Sequence, residues 1–154
     1  VKGEEFTELY LESGSSLQRK MMYAYGTLVG AMHRKRINSK VRPRDIICRN
    51  RRFGNHEESL VLIDRERGKT RYMDMGDRVA IKQMLNDWHK NAGFLNYPGL
   101  VQLSAFWLGY CKERPEFREF TEQRKDLFLE IFGGFTAQPD RDQFDRHYAG
   151  WMRG

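Results

Sequence analysis

Cysteine is nearly absent from this 154-residue chain: Cys48 and Cys111 are the only two, and neither stands in CxxC or CxxH spacing. That leaves no finger-type zinc site and suits a reducing, cytoplasmic setting, with both residues as buried thiols packing like small hydrophobes. Long apolar runs are also missing. A bilayer span needs ~18 consecutive apolar residues, whereas the longest stretch, at 100–111, is interrupted by Gln102 and Ser104. No membrane association is expected. The first six residues carry Glu4 and Glu5 where an export signal would be basic and then apolar, so secretion is not expected either.

The motifs of several chemistries are missing too. There is no GxxxxGK[ST], GxGxxG, GxSxG or HExxH, so nucleotide-loop, dinucleotide, hydrolase-elbow and zincin geometries lack their required residues. The four histidines, His33, His56, His89 and His147, form no i, i+4 pair that would offer two nitrogens to one metal, and each reads as a surface residue. No cofactor and no metal site are expected. The nearest enzymatic alternative is a metal-dependent nuclease built on His56, Glu57, Glu58, Asp64, Glu66, Lys69 and Asp74. Its spacing is wrong, because Glu66 and Lys69 are three apart around a turn glycine, and a solvated hairpin tip explains the charges better.

Apolar bulk is present in quantity. Hydrophobic residues make up 40% of the chain and aromatics 13%, with three tryptophans and ten phenylalanines, enough to offset the entropy of ordering one domain. Phe6, Leu9 and Tyr10 mark a short amphipathic helix that stops at Ser13-Gly14. Ser15 with Gln18 reads as a capping box. It opens a helix with Leu17, Met21, Tyr25, Leu28 and Met32 in its stripe, running to about Arg36. Gly26 and Gly30 within it have the spacing that lets helices approach closely, which reads as packing inside the domain, with a homodimer contact as the alternative.

Arg42-Pro43 discourages helix, residues 45–49 suit a short strand and residues 50–58 a loop. Residues 59–64 and 69–74 read as two strands joined by a turn at 65–68. Asp77 caps a helix carrying Ile81, Met84, Leu85 and Trp88 that ends at Gly93. Pro98 suits the first turn of the next helix, whose all-round apolarity (Leu100, Leu103, Phe106, Trp107, Tyr110, Cys111) marks it as the most buried. Pro115 and Pro139 open two further helical segments, with Phe117, Phe120, Leu127, Phe128 and Ile131 on one and Phe144, Tyr148, Trp151 and Met152 on the other. The fold expected is mainly α, a compact domain of about five to six helices, with a small antiparallel β-hairpin of two or three strands inserted near residues 45–75.

Charge is concentrated in one place. Residues 34–52 hold nine bases, Arg34, Lys35, Arg36, Lys40, Arg42, Arg44, Arg49, Arg51 and Arg52, against the single acid Asp45, while the rest of the chain is close to neutral. Clustered bases release condensed counterions from a phosphodiester backbone and so bind without reading sequence. Most of these are arginine, whose planar fork grips phosphate with two hydrogen bonds and stacks on bases. Phe53, directly after Arg51-Arg52, and Tyr72 are candidates for stacking on an unpaired base. The function expected is a non-enzymatic accessory or regulatory protein that binds DNA or RNA through these ten residues, 34–36, 40, 42, 44, 49 and 51–53. The alternatives are an interaction module that docks on an acidic protein surface, or a purely structural role in which the bases favour a helix end and guard an edge strand.

Overall fold

A computed structural model describes residues 3–38, 41–54, 56–63, 71–72, 91–96, 98–117 and 146. This part is mostly helical and carries a small antiparallel sheet. Four α-helices are present among the described residues: α1 (Phe6–Glu12), α2 (Ser15–Arg34), α3 (His56–Ser59) and α4 (Leu100–Glu113). The helices expected around 77–93, 115–131 and 139–152 lie largely outside them.

The joint between α1 and α2 differs from the expected capping box. The N-cap of α2 is Gly14, which has no side chain to offer, and its carbonyl accepts from the Gln18 amide. The Gln18 side chain instead donates to the Tyr10 carbonyl at 2.9 Å, and the Ser13 hydroxyl donates to the Leu9 carbonyl. Both bonds go to carbonyls in the last turn of α1, so the polar side chains close one helix instead of opening the next.

The α2–α4 pair forms the centre. A Cβ on Gly26 would be driven into the Phe106 carbonyl, and one on Gly109 into the Tyr23 carbonyl. One on Gly30 would lie 2.9 Å from the Tyr110 carbonyl oxygen. The paired glycines therefore act as a close-packing stripe within the chain, and the two helix backbones touch where they cross. Around this crossing lie Met21, Met22, Leu103, Trp107, Tyr110 and Phe117, all essentially inaccessible. Tyr25 stands edge-on to both Phe6 and Phe106, with ring centroids 5.6 and 5.2 Å away, an arrangement that aromatic quadrupoles favour. No residue from 101 to 111 is fully exposed, in keeping with the apolar reading of α4. Pro98 precedes that helix, whose N-cap is Gly99.

His33 is not on the surface as expected. It is 3% exposed, and its Nδ1 lies 2.9 Å from the Tyr110 hydroxyl, which also accepts from Arg114 Nη1 at 3.1 Å. The tyrosine hydroxyl gives the imidazole the partner that burial of a polar ring requires. Burial, and then the nearby Arg114 charge, push the His33 pKa down to about 4.

Strand pairing also departs from the expected hairpin. Strand β4 (Leu60–Leu62) pairs antiparallel with β3 (Ile46–Cys48), matching Ile46 to Leu62 and Cys48 to Leu60. Strand β1 (Glu4–Glu5) pairs with the other edge of β3. Residues 71–72, expected beside residues 59–64, form β5 and pair with β2 (Ile37–Asn38). All three β3 residues are buried, which favours the central place in a sheet over an edge. One helical turn, α3, stands where the loop at 50–58 was expected to continue. Among the described residues no helix is long and apolar enough to cross a membrane, and Cys48 and Cys111 are both buried and outside any disulfide.

Candidate nucleic-acid interface

The basic segment starts on the last turn of α2 and ends beyond β3. Helix α2 stops because Lys35 caps it and Arg36 takes a left-handed conformation at φ 61°, its amide donating to the His33 carbonyl. Lys35 and Arg36 are thereby turned out into solvent, while Tyr25 on α2 donates its hydroxyl to the Val41 carbonyl and holds the returning chain. A 3₁₀ turn (Pro43–Asp45) then leads into β3, and Arg44 projects from it.

Beyond β3 the loop carrying Arg49, Arg51 and Arg52 is held by two residues that sequence reasoning did not single out, Asn50 and Ser59. The Asn50 side-chain oxygen accepts the Arg52 amide at 2.9 Å and the Ser59 hydroxyl at 3.3 Å, and its Nδ2 donates to the Glu58 carbonyl at 3.1 Å. Ser59 Oγ in turn accepts the Phe53 amide at 3.0 Å, and the Ser59 carbonyl accepts the Arg49 amide at 2.8 Å. An asparagine bonded to the amide two residues on is a recurrent turn former, which was the one available signal. The lock fixes the backbone and leaves the three guanidinium groups outside.

His56 ties this loop to α2. Its Nδ1 lies 3.0 Å from Thr27 Oγ1, whose own proton goes to the Ala24 carbonyl at 2.7 Å. The hydroxyl has then given its proton away, so the imidazole is the donor and carries its hydrogen on Nδ1. Burial holds the His56 pKa below its usual value; nearby Glu113 and Glu57 oppose this, and Lys35 and Arg34 reinforce it. The end of α2 and the start of α3 are thus electrostatic neighbours.

Eight of the ten candidate residues divide into four groups. Arg34 pairs with Glu113 at 2.7 Å and Arg51 takes Glu4 in a fork, Nη2 at 2.7 Å and Nε at 3.0 Å. The Arg51–Glu4 pair faces solvent, its side chains being 59% and 46% exposed, whereas exposed Arg34 reaches a largely covered Glu113. The hydrogen bond from Arg51 is the first cause of a lowered Glu4 pKa. Arg42 is different, since its 2.7 Å pair with Asp45 is largely covered and clips the 3₁₀ turn, leaving it structural. Arg44 sits with its guanidinium carbon 5.3 Å from the centre of the Phe94 ring. Lys35, Arg36, Arg49 and Arg52 are exposed, and among the described residues no carboxylate lies within ion-pair distance of them.

Of the two remaining candidates, Phe53 does not join the surface. Phe53 is 2% exposed at φ 47°, packed in the core, so its ring has no free face for a base. Lys40 lies outside the described residues, as does the side chain of Tyr72. Of the nuclease set, His56, Glu57 and Glu58 lie on α3, while Asp64, Glu66, Lys69 and Asp74 are outside the described residues; among those described, no three His, Cys, Asp or Glu side chains converge as a metal site would need.

Comparison of the chain with protein-family models, with curated proteins and with solved structures finds no match. Its function rests on the chemistry of its own side chains.

Proposed function

We propose that this chain is a non-enzymatic nucleic-acid-binding protein that grips the phosphate backbone through Lys35, Arg36, Arg49 and Arg52, with Arg44, Arg34 and Arg51 in support. The observation that carries this reading is the four exposed bases that have no carboxylate partner among the described residues, where Arg34, Arg42 and Arg51 are already paired. An exposed pair such as Arg51–Glu4 is weakly held in high dielectric and screened by salt, so a closely charged phosphate strand competes well for the arginine. Backbone contacts of this kind favour charge and shape over a sequence code.

The test is a binding titration with single-stranded DNA, RNA and duplex DNA over a range of salt. Four to six neutralised phosphates predict that log affinity falls against log salt with a slope of about −3 to −5. Charge reversal at Arg49 and Arg52 together is expected to abolish most binding at unchanged thermal stability. No binding at low salt, or a flat salt dependence, overturns the reading.

A second reading has one observation in its favour. Arg51 already holds a carboxylate in bidentate geometry, and the same fork would accept an acid on a partner protein. Failure to bind nucleic acid, with binding to an acidic protein surface, is its signature.

A further inference from the structure

Phe94 is one of two large apolar side chains exposed among the described residues, at 39%, the other being Leu11. It stands on a 3₁₀ turn (Ala92–Leu95) whose next residue, Leu95, is 1% exposed and anchors the turn in the core. The Asn96 amide closes that turn on the Gly93 carbonyl at 3.1 Å, so the ring is presented by rigid backbone. The turn packs against the Pro43–Asp45 turn, and Arg44 from that turn lies over the Phe94 ring. An exposed aromatic ring thus lies beside an arginine of the basic segment that has no carboxylate partner among the described residues. The arginine leads straight into β3, and that three-residue strand spans only roughly 10 Å before Arg49, Arg51 and Arg52 follow.

We propose that Phe94 and Arg44 form a stacking platform for an unpaired nucleobase, which makes single-stranded nucleic acid the preferred ligand of the surface. This rests on the phosphate-binding reading above and adds strand selectivity to it. A base offers a π face to any aromatic ring, and a guanidinium plane stacks on the same faces while its N–H groups reach the adjoining phosphate. In a duplex those faces are already occupied by neighbouring bases, so the platform contributes nothing there. Phe53, the residue that sequence position pointed to, cannot do this from the core; Phe94, 41 residues further on, takes the role because the fold carries it to Arg44.

The experiment measures affinity for a fluorescein-labelled single strand and for the duplex of the same sequence, at one moderate salt concentration, with the full chain. The wild type is expected to favour the single strand. Phe94→Ala is expected to lower single-strand affinity about tenfold or more, and to leave duplex affinity and the salt slope almost unchanged, since no charge is removed. Phe94→Trp should retain the preference and Phe94→Leu, which keeps the bulk and loses the π face, should lose it; circular dichroism checks that each variant folds. An equal effect of Phe94→Ala on both ligands, or none on either, overturns the platform and leaves phosphate binding standing. Absence of binding to both forms by the wild type at low salt overturns the underlying reading, and the platform with it.

Discussion

The side-chain oxygen of Asn50 accepts from both the Ser59 hydroxyl and the Arg52 amide, so one asparagine closes the loop that displays three arginines. Asn50→Ala removes these bonds together with the one to the Glu58 carbonyl. A loss of about 1–2 kcal/mol in stability is expected by urea denaturation, along with a binding defect larger than that of any single arginine-to-alanine change in the loop. A variant with native affinity would show that the lock does not position the bases.

Glu4 competes for Arg51, and its removal should therefore strengthen the interface. Glu4→Gln is expected to raise nucleic-acid affinity and to steepen the salt slope by about one, because one more base becomes available to phosphate. The paired control, Glu4→Gln with Arg51→Ala, should show no gain. Weaker binding by the single variant would place Arg51 outside the contact surface.

Backbone contact at the helix crossing makes Gly26 intolerant of a single methyl. Gly26→Ala is expected to cost at least ~3 kcal/mol, since a helix carbonyl cannot step aside as a flexible side chain can. Gly54→Ala, at a position with open space around it, should stay within about 0.5 kcal/mol. Equal melting temperatures for the two variants would contradict the packing described between α2 and α4.

Acid should destabilise the fold through His33. Its pKa is depressed from 6.5 to about 4, so the unfolded chain binds the proton more readily. The stabilisation is complete above pH 6.5 and is lost as the pH falls from there towards 4, by up to ~1.4 kcal/mol per pH unit. His33→Gln should make denaturation midpoints fall less steeply across that window. Parallel curves for variant and wild type would remove His33 as the cause.

How much was legible beforehand depended on the range of the interaction. The stripes of α1, α2 and α4 are periodic over one or two turns, and Gly26 and Gly30 carried their close-packing meaning in their spacing alone. Residues 46–48 and 60–62 read as strands because Ile46, Ile47, Leu60, Val61 and Leu62 are apolar and mostly branched. Their pairing did not, because partners are chosen by which strand can be covered on both sides. Glu4–Glu5 gave no sign of joining that sheet, two acids being poor strand formers.

The amino-acid sequence by itself determined the helical character, the close-packing glycines and the density of positive charge between 34 and 52, all consequences of neighbours along the chain. Only the tertiary structure decided which of those bases are paired among the described residues, because the carboxylate that neutralises Arg51 is 47 residues away and that of Arg34 is on another helix. Burial likewise separates Phe53, enclosed in the core, from Phe94, exposed 41 residues further on. Periodicity and composition act through adjacent residues, whereas burial and charge pairing are settled by what folding brings across.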